Sequence, residues 1–246
     1  MASKNKKIET EQIIEPIVLE EKNTLLEFWN KYSKMISSFL IGIMIGVLAF
    51  FAYKKFIKEP KELEAKVAIY PAENLFVSMA NTGFNKDSAN IALNGGILDG
   101  KKVTGLLSII SKFGGTKAGN RATYDAGAIY LNTQDYNNAI KYLKDFSSYG
   151  AYQTEIKKCT MLGHAYAELK KDSEALEYYQ KAANVNKKDE NFTGDALMVA
   201  GAFAEKVGKT KEAIALYTEA RDEYPNFAAV QNGDVDKYLA KLGVTK

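Results

Sequence analysis

Two kinds of hydrophobic pattern divide the chain. From Met35 to Tyr53 the sequence MISSFLIGIMIGVLAFFAY runs for 19 residues without a charge. Beyond Pro60, apolar residues recur at helical spacing between short Gly, Asn and Asp breaks. The first pattern predicts a membrane-spanning helix, since 19 residues of helix extend about 28 Å against a hydrocarbon core of about 30 Å. Lys31 and Lys34 precede the run, and Lys54, Lys55 and Lys58 follow it. Trp29, Tyr32 and Tyr53 stand at its edges, where amphipathic rings suit the headgroup layer. The alternatives are a buried core helix, which at this length normally keeps a polar face, and a signal peptide. A signal peptide has an apolar core of about 7–15 residues and a small-residue exit. Here the run is longer, begins only after 34 residues and lacks Ala-x-Ala.

Within the span, Ser38, Gly42 and Gly46 recur every four residues. Such a stripe lets another helix approach closely, so it reads either as a face for homo- or hetero-association through the membrane helix or as the small residues common in membrane helices generally. Residues 1–34 form a tail too short for a core, with Lys4, Lys6 and Lys7 followed by six glutamates. Its segment Ile13-Ile14-Glu15-Pro16-Ile17-Val18-Leu19 reads as a docking peptide or a floppy tail. Thr24 and Glu27 have capping-box spacing. Leu25, Phe28, Tyr32 and Met35 then predict a short amphipathic helix leading into the span. Lys22, Lys31 and Lys34 on one flank oppose Lys54, Lys55, Lys58, Lys61 and Lys66 on the other. Three against five mildly favours a cytoplasmic C-terminal body.

Pro60 is expected to end or kink the helix leaving the span. Residues 54–118 read as a linker helix and a degenerate helical pair, Glu62–Ala80 with a possible break at Pro71, then Val103–Phe113. The insertion Asn94–Lys102 between them is loop-like.

Residues 119–246 contain three similar segments. Gly127, Gly163 and Gly201 each stand twelve residues before an alanine, Ala139, Ala175 or Ala213. Tyr130, Tyr166 and Ala204 follow the glycines by three residues, and Leu143, Tyr179 and Tyr217 follow the alanines by four. The last unit closes on Tyr224-Pro225, and the repeat distances are 36 and 38 residues. Glycine and alanine suit positions where two helices of a hairpin cross closely, and tyrosines fill the gaps between hairpins. Asp234–Leu242 reads as a C-terminal capping helix, which a solenoid needs at its open end.

Over residues 120–225 this pattern resembles the tetratricopeptide repeat, a helix–turn–helix unit of about 34 residues. The signature tryptophan position holds Thr123, Cys159 and Leu197, and the closing proline survives only as Pro225. The resemblance implies an all-α chain in which one N-terminal transmembrane helix precedes a solenoid. That solenoid would hold about three clear repeats, one degenerate leading pair and a cap. It also implies a concave peptide-binding groove lined by the first helix of each repeat. Carried onto this sequence, the groove takes Arg121, Tyr124, Ala128, Leu131 and Asn132 from the first unit. The second supplies Lys157, Thr160, Met161, His164 and Glu168, and the third Asp195, Met198, Ala202, Glu205 and Lys206. Tyr124 with Ala128 does not supply the carboxylate clamp by which some members grip chaperone C-termini. Tyr124, Leu131, Met161 and Met198 suit an apolar or adaptable peptide.

The layout as a whole is similar to the membrane-anchored tetratricopeptide proteins typified by the ancillary subunit of the Sec translocon. It looks particularly like Bacteroidetes-type relatives, with Gly114-Gly115-Thr116-Lys117-Ala118-Gly119-Asn120 preceding the first clear repeat. That resemblance implies a single-pass protein of the bacterial inner membrane, its N-terminus cytoplasmic and its repeats periplasmic, contacting translocon subunits and periplasmic chaperones. It opposes the lysine count, and the small difference in that count yields to it.

Composition narrows the chemistry. Of 246 residues, 46% are apolar and 26% charged, which excludes wholesale disorder. A net charge of +3 from 33 basic and 30 acidic residues is too balanced for a dedicated nucleic-acid binder. The single cysteine, Cys159, and single histidine, His164, exclude an internal disulfide, a cysteine cage and multi-histidine metal sites. Phe113–Gly119 lacks phosphate-loop spacing. No nucleophile–base pair is apparent, so no enzyme activity, metal or cofactor is expected. The expected function is a non-enzymatic, membrane-tethered scaffold for protein or peptide partners, serving translocation or envelope quality control. A cytoplasm-facing receptor for client proteins and an enzyme's regulatory anchor are the alternatives.

Overall fold

The computed structural model describes residues 14–244, with side chains from residue 24 onward. The expectations for Lys4, Lys6, Lys7 and Ile13 lie outside the described residues. The chain divides into two compact units, residues 1–60 and 61–246.

In the first unit, helix α1 runs from Ile14 to Tyr53. Thr24 is therefore mid-helix, and the capping box expected there marks no helix start. The charge-free run lies inside α1 with its large apolar side chains exposed, from Val47 at 47% to Phe39 at 70%. The Ser37 and Ser38 hydroxyls donate to the Lys34 carbonyl at 3.0 and 2.8 Å, which satisfies both within the helix. Lys54–Lys58 form one π-helical turn, closed by Glu59 N–H donating to the Lys54 carbonyl. Pro60 thus does not stop the helix. Its missing N–H and its ring are accommodated by the wider turn that precedes it.

The second unit begins within helix α2 (Glu59–Thr82), which passes Pro71 without the expected break. α2 buries Ala65, Ile69, Ala72, Leu75 and Met79 against α3 (Lys86–Asn94), α4 (Leu106–Phe113) and α5 (Lys117–Asn132). The leading region is more elaborate than a helical pair. Asn85 caps α3 by accepting from Ser88 N–H at 2.8 Å. The expected loop contains a hairpin, β1 (Gly96–Leu98) against β2 (Lys101–Val103), in antiparallel register Gly96↔Val103. Asp99 and Gly100 join the strands at φ 49° and 74°, the two positive values of a type I′ turn. α4 then starts at Leu106 rather than Val103.

Three hairpins follow: α5 with α6 (Tyr136–Asp145), α7 (Tyr152–Glu168) with α8 (Asp172–Ala183), and α9 (Glu190–Lys206) with α10 (Thr210–Glu223). A Cβ on Gly127 would lie 2.8 Å from Leu143, one on Gly163 2.6 Å from Tyr179, and one on Gly201 2.5 Å from Tyr217. Ala139, Ala175 and Ala213 are fully buried. Each hairpin turns through a residue of positive φ seven places after its glycine, at Gln134 (68°), Lys170 (59°) and Gly208 (77°). The next N–H in each returns to the helix, from Asp135 to Tyr130, Lys171 to Tyr166 and Lys209 to Ala204, at 2.8–3.0 Å.

Stacked tyrosines join the two helices within each of the first two hairpins. Tyr130 stacks on Tyr142 and Tyr166 on Tyr178, each pair 9° from parallel. Lys144 Nζ reaches forward over the Tyr166 and Tyr178 rings of the next hairpin at 5.4 and 5.9 Å. The C-terminal end closes with α11 (Ala228–Gln231) and α12 (Asp234–Lys241). α12 buries Val235 and Leu239 and lays Tyr238 on Tyr217.

Candidate functional site

The first helices of the hairpins, α5, α7 and α9, carry the residues expected to line a groove. These residues differ in how free they are. At the leading end Arg121 Nη2 pairs with Glu73 of α2 at 3.2 Å. Tyr124 is half-buried, its ring 5.1 Å from Phe146, and burial raises its phenol above the usual range. Asn132 donates to the Ala128 carbonyl in its own helix at 2.8 Å, and Leu131 is half-buried. Beside Arg121, Asp125 is only 6% exposed and its Oδ2 has no hydrogen-bond partner. Burial, reinforced by Glu73 and opposed by Arg121, pushes this carboxyl up to about 7.

In the middle unit Lys157 is exposed and Met161 half-buried. Thr160 donates to the Ile156 carbonyl at 3.0 Å. His164 Nδ1 lies 2.8 Å from the Tyr179 hydroxyl, with the two rings edge to face. Burial lowers the imidazole below its usual pKa while Glu168 opposes the shift, and burial raises Tyr179. The same tyrosine ring fills the gap over Gly163 and touches Phe203 of the next hairpin. His164 is therefore held by a packing residue. Cys159 is fully buried, its thiol 3.7 Å from Glu155 and pushed up to about 11 mainly by burial, a state that suppresses thiolate chemistry.

At the trailing end the residues do converge. Asp195 and Met198 of α9 open into a cleft of about 460 Å³ whose other walls are Phe227, Ala229 and the α12 residues Asp234, Lys237, Tyr238 and Lys241. Lys241 is ion-paired with Glu205, and Lys237 pairs with Asp234 at 2.8 Å. Burial raises the Asp195 carboxyl above its usual pKa. The cleft joins an apolar floor to acidic and basic rims. Sequence reading supplied Asp195, Met198 and Glu205 and missed the α12 wall. The signal was present, because the expected cap already carried Tyr238 and Lys241 one helical turn apart.

The segment Gly114-Gly115-Thr116-Lys117 is a helix start and not a phosphate cradle. Thr116 Oγ1 accepts from Gly119 N–H at 2.9 Å, and the Glu62 carboxylate of α2 accepts from Lys117 N–H at 3.0 Å. The N-terminus of α5 thus already faces an anion from within the chain. In the first unit, Gly42 and Gly46 have no neighbouring atom within 4 Å of a built Cβ. Among the described residues α1 and its continuation contain one helix long and apolar enough to cross a membrane.

No curated protein matches the chain. The tetratricopeptide repeat family model matches residues 121–146 and 159–189, so the hairpin α5–α6 and most of α7–α8 are tetratricopeptide repeats, units characteristic of protein–protein interaction scaffolds.

Proposed function

We propose that this protein is a non-enzymatic scaffold, tethered to a bacterial inner membrane by residues 35–53, that holds protein segments against its repeats on the periplasmic side. The repeat match and the exposed apolar stretch of α1 support a tethered interaction module. The resemblance to translocon-associated anchored repeat proteins supports translocation or envelope quality control as the process. The observation that carries the binding reading is the cleft between α9 and α12, where Met198 and Tyr238 offer an adaptable apolar floor between charged rims. The peptide seat is placed at the trailing end because the cleft lies there. Tethering raises the local concentration of membrane-proximal partners without any new contact.

A photo-reactive residue at Met198 in the full chain tests this. It is expected to capture translocon subunits or envelope chaperones, with far less capture from Tyr124. Recovery of cytosolic clients alone would instead favour the cytoplasm-facing receptor, the reading supported by the three-to-five lysine count.

A further inference from the structure

Helix α2 is apolar on two opposite sides. One side enters the core through Ala65, Ile69, Ala72, Leu75 and Met79. On the other, Leu63, Val67, Tyr70 and Val77 remain 64, 68, 64 and 50% exposed. With Asn74 between them, these residues advance in alternating steps of four and three. That is the seam spacing of a two-stranded coiled coil, with Val67 and Asn74 at a and Leu63, Tyr70 and Val77 at d. Val67 at one a position and Leu63 at one d position are of the kind found in two-stranded seams, and a single asparagine at a fixes register. Carboxylates flanking the seam are already engaged within the chain, Glu64 by Lys112 and Glu73 by Arg121.

We infer that this face of α2 docks against the same face of a second copy of the chain, as a parallel, in-register helix pair. The seam itself names the occupant. A buried asparagine at a is satisfied by an identical asparagine at the same height, and only another copy supplies Asn74 opposite Asn74. In two copies anchored in one bilayer, α2 also follows the span at the same distance along the chain. The parallel register rests on the anchoring proposed above. Residues 63–77 span about 21 Å, roughly two heptads, a length marginal for association in dilute solution. Confinement to a membrane supplies the missing effective concentration. Because α2 is already held as a helix by its core face, pairing incurs no nucleation cost.

The test uses the full chain in its native membranes, with differently tagged copies co-expressed. Single cysteines are introduced as Val67→Cys and Tyr70→Cys on the seam, and as Lys61→Cys on the opposite side of α2. The buried Cys159 of the unsubstituted chain gives the background. Mild oxidation is expected to join both tags through Val67→Cys and Tyr70→Cys several times more efficiently than through Lys61→Cys. Adding Asn74→Lys to Val67→Cys is expected to return the yield to the Lys61→Cys level. Equal yields on and off the seam, no dimer from any variant, or disulfides to a different protein would each overturn the pairing. So would a Val67→Cys thiol shielded from an impermeant maleimide only while the bilayer is intact, which would place the face on lipid. Alkaline extraction of the same membranes reports the anchor separately. A chain that washes off refutes the anchoring, whereas one that stays without seam disulfides refutes the pairing.

Discussion

Asp125 is a buried carboxyl in a repeat helix, and its position makes stability depend on pH. Its folded pKa of about 7 lies above the usual carboxyl value, so the folded state holds a proton that the unfolded state has released. Stability from this group is present below about pH 4 and is lost as pH rises toward 7. Asp125→Asn removes that loss. Thermal unfolding followed by circular dichroism is expected to show the variant more stable at pH 8 by on the order of 4 kcal/mol, with little difference near pH 4. An equal difference at both pH values would refute the assignment. Nothing in the sequence marked this residue, because an aspartate inside a repeat helix reads as surface until Glu73 and the core are seen around it. Gly163 is the opposite case. Its spacing to Ala175 announced a close crossing, and the structure fills that space with the Tyr179 ring. The left-handed turn positions stayed hidden because Gln134 and Lys170 occupy two of them, and only Gly208 carries the residue type that signals such a turn.

Among the elements, periodicity revealed what was long and regular and missed what was short. The charge-free run was readable from its length, the three hairpins from their glycine–alanine pairs, and the eight-residue cap only from its place at the open end of the solenoid. α3 and the Asp99–Gly100 hairpin were not, since nine and three residues offer too few periods to separate from loop. Asp-Gly between two apolar-flanked triplets was nonetheless a hairpin signal. By sequence Pro60 ends or kinks a helix and Pro71 is a possible break, but a preceding π turn and the packing of Ile69, Ala72 and Leu75 keep the chain helical. The α1 stripe of Ser38, Gly42 and Gly46 leaves room for a close helical neighbour. Gly42→Ile with Gly46→Ile is expected to reduce co-purification of a membrane partner from mild detergent by several-fold. Undiminished recovery would make the stripe incidental.

For the whole molecule the proposed periplasmic placement of the repeats makes a direct prediction. Protease added to spheroplasts is expected to degrade residues 61–246 while leaving a cytoplasmic control intact, and full protection would reverse the orientation. The apolar core of the second unit falls into two clusters. One apolar cluster runs from Ala65 to Ile129 and the other from Ile156 to Leu239, with α6 between them sending Tyr142 to the first and Ile140 to the second. The Lys144 reach over Tyr166 and Tyr178 therefore crosses the junction between the two clusters, adding a cation–ring contact where the apolar core is interrupted.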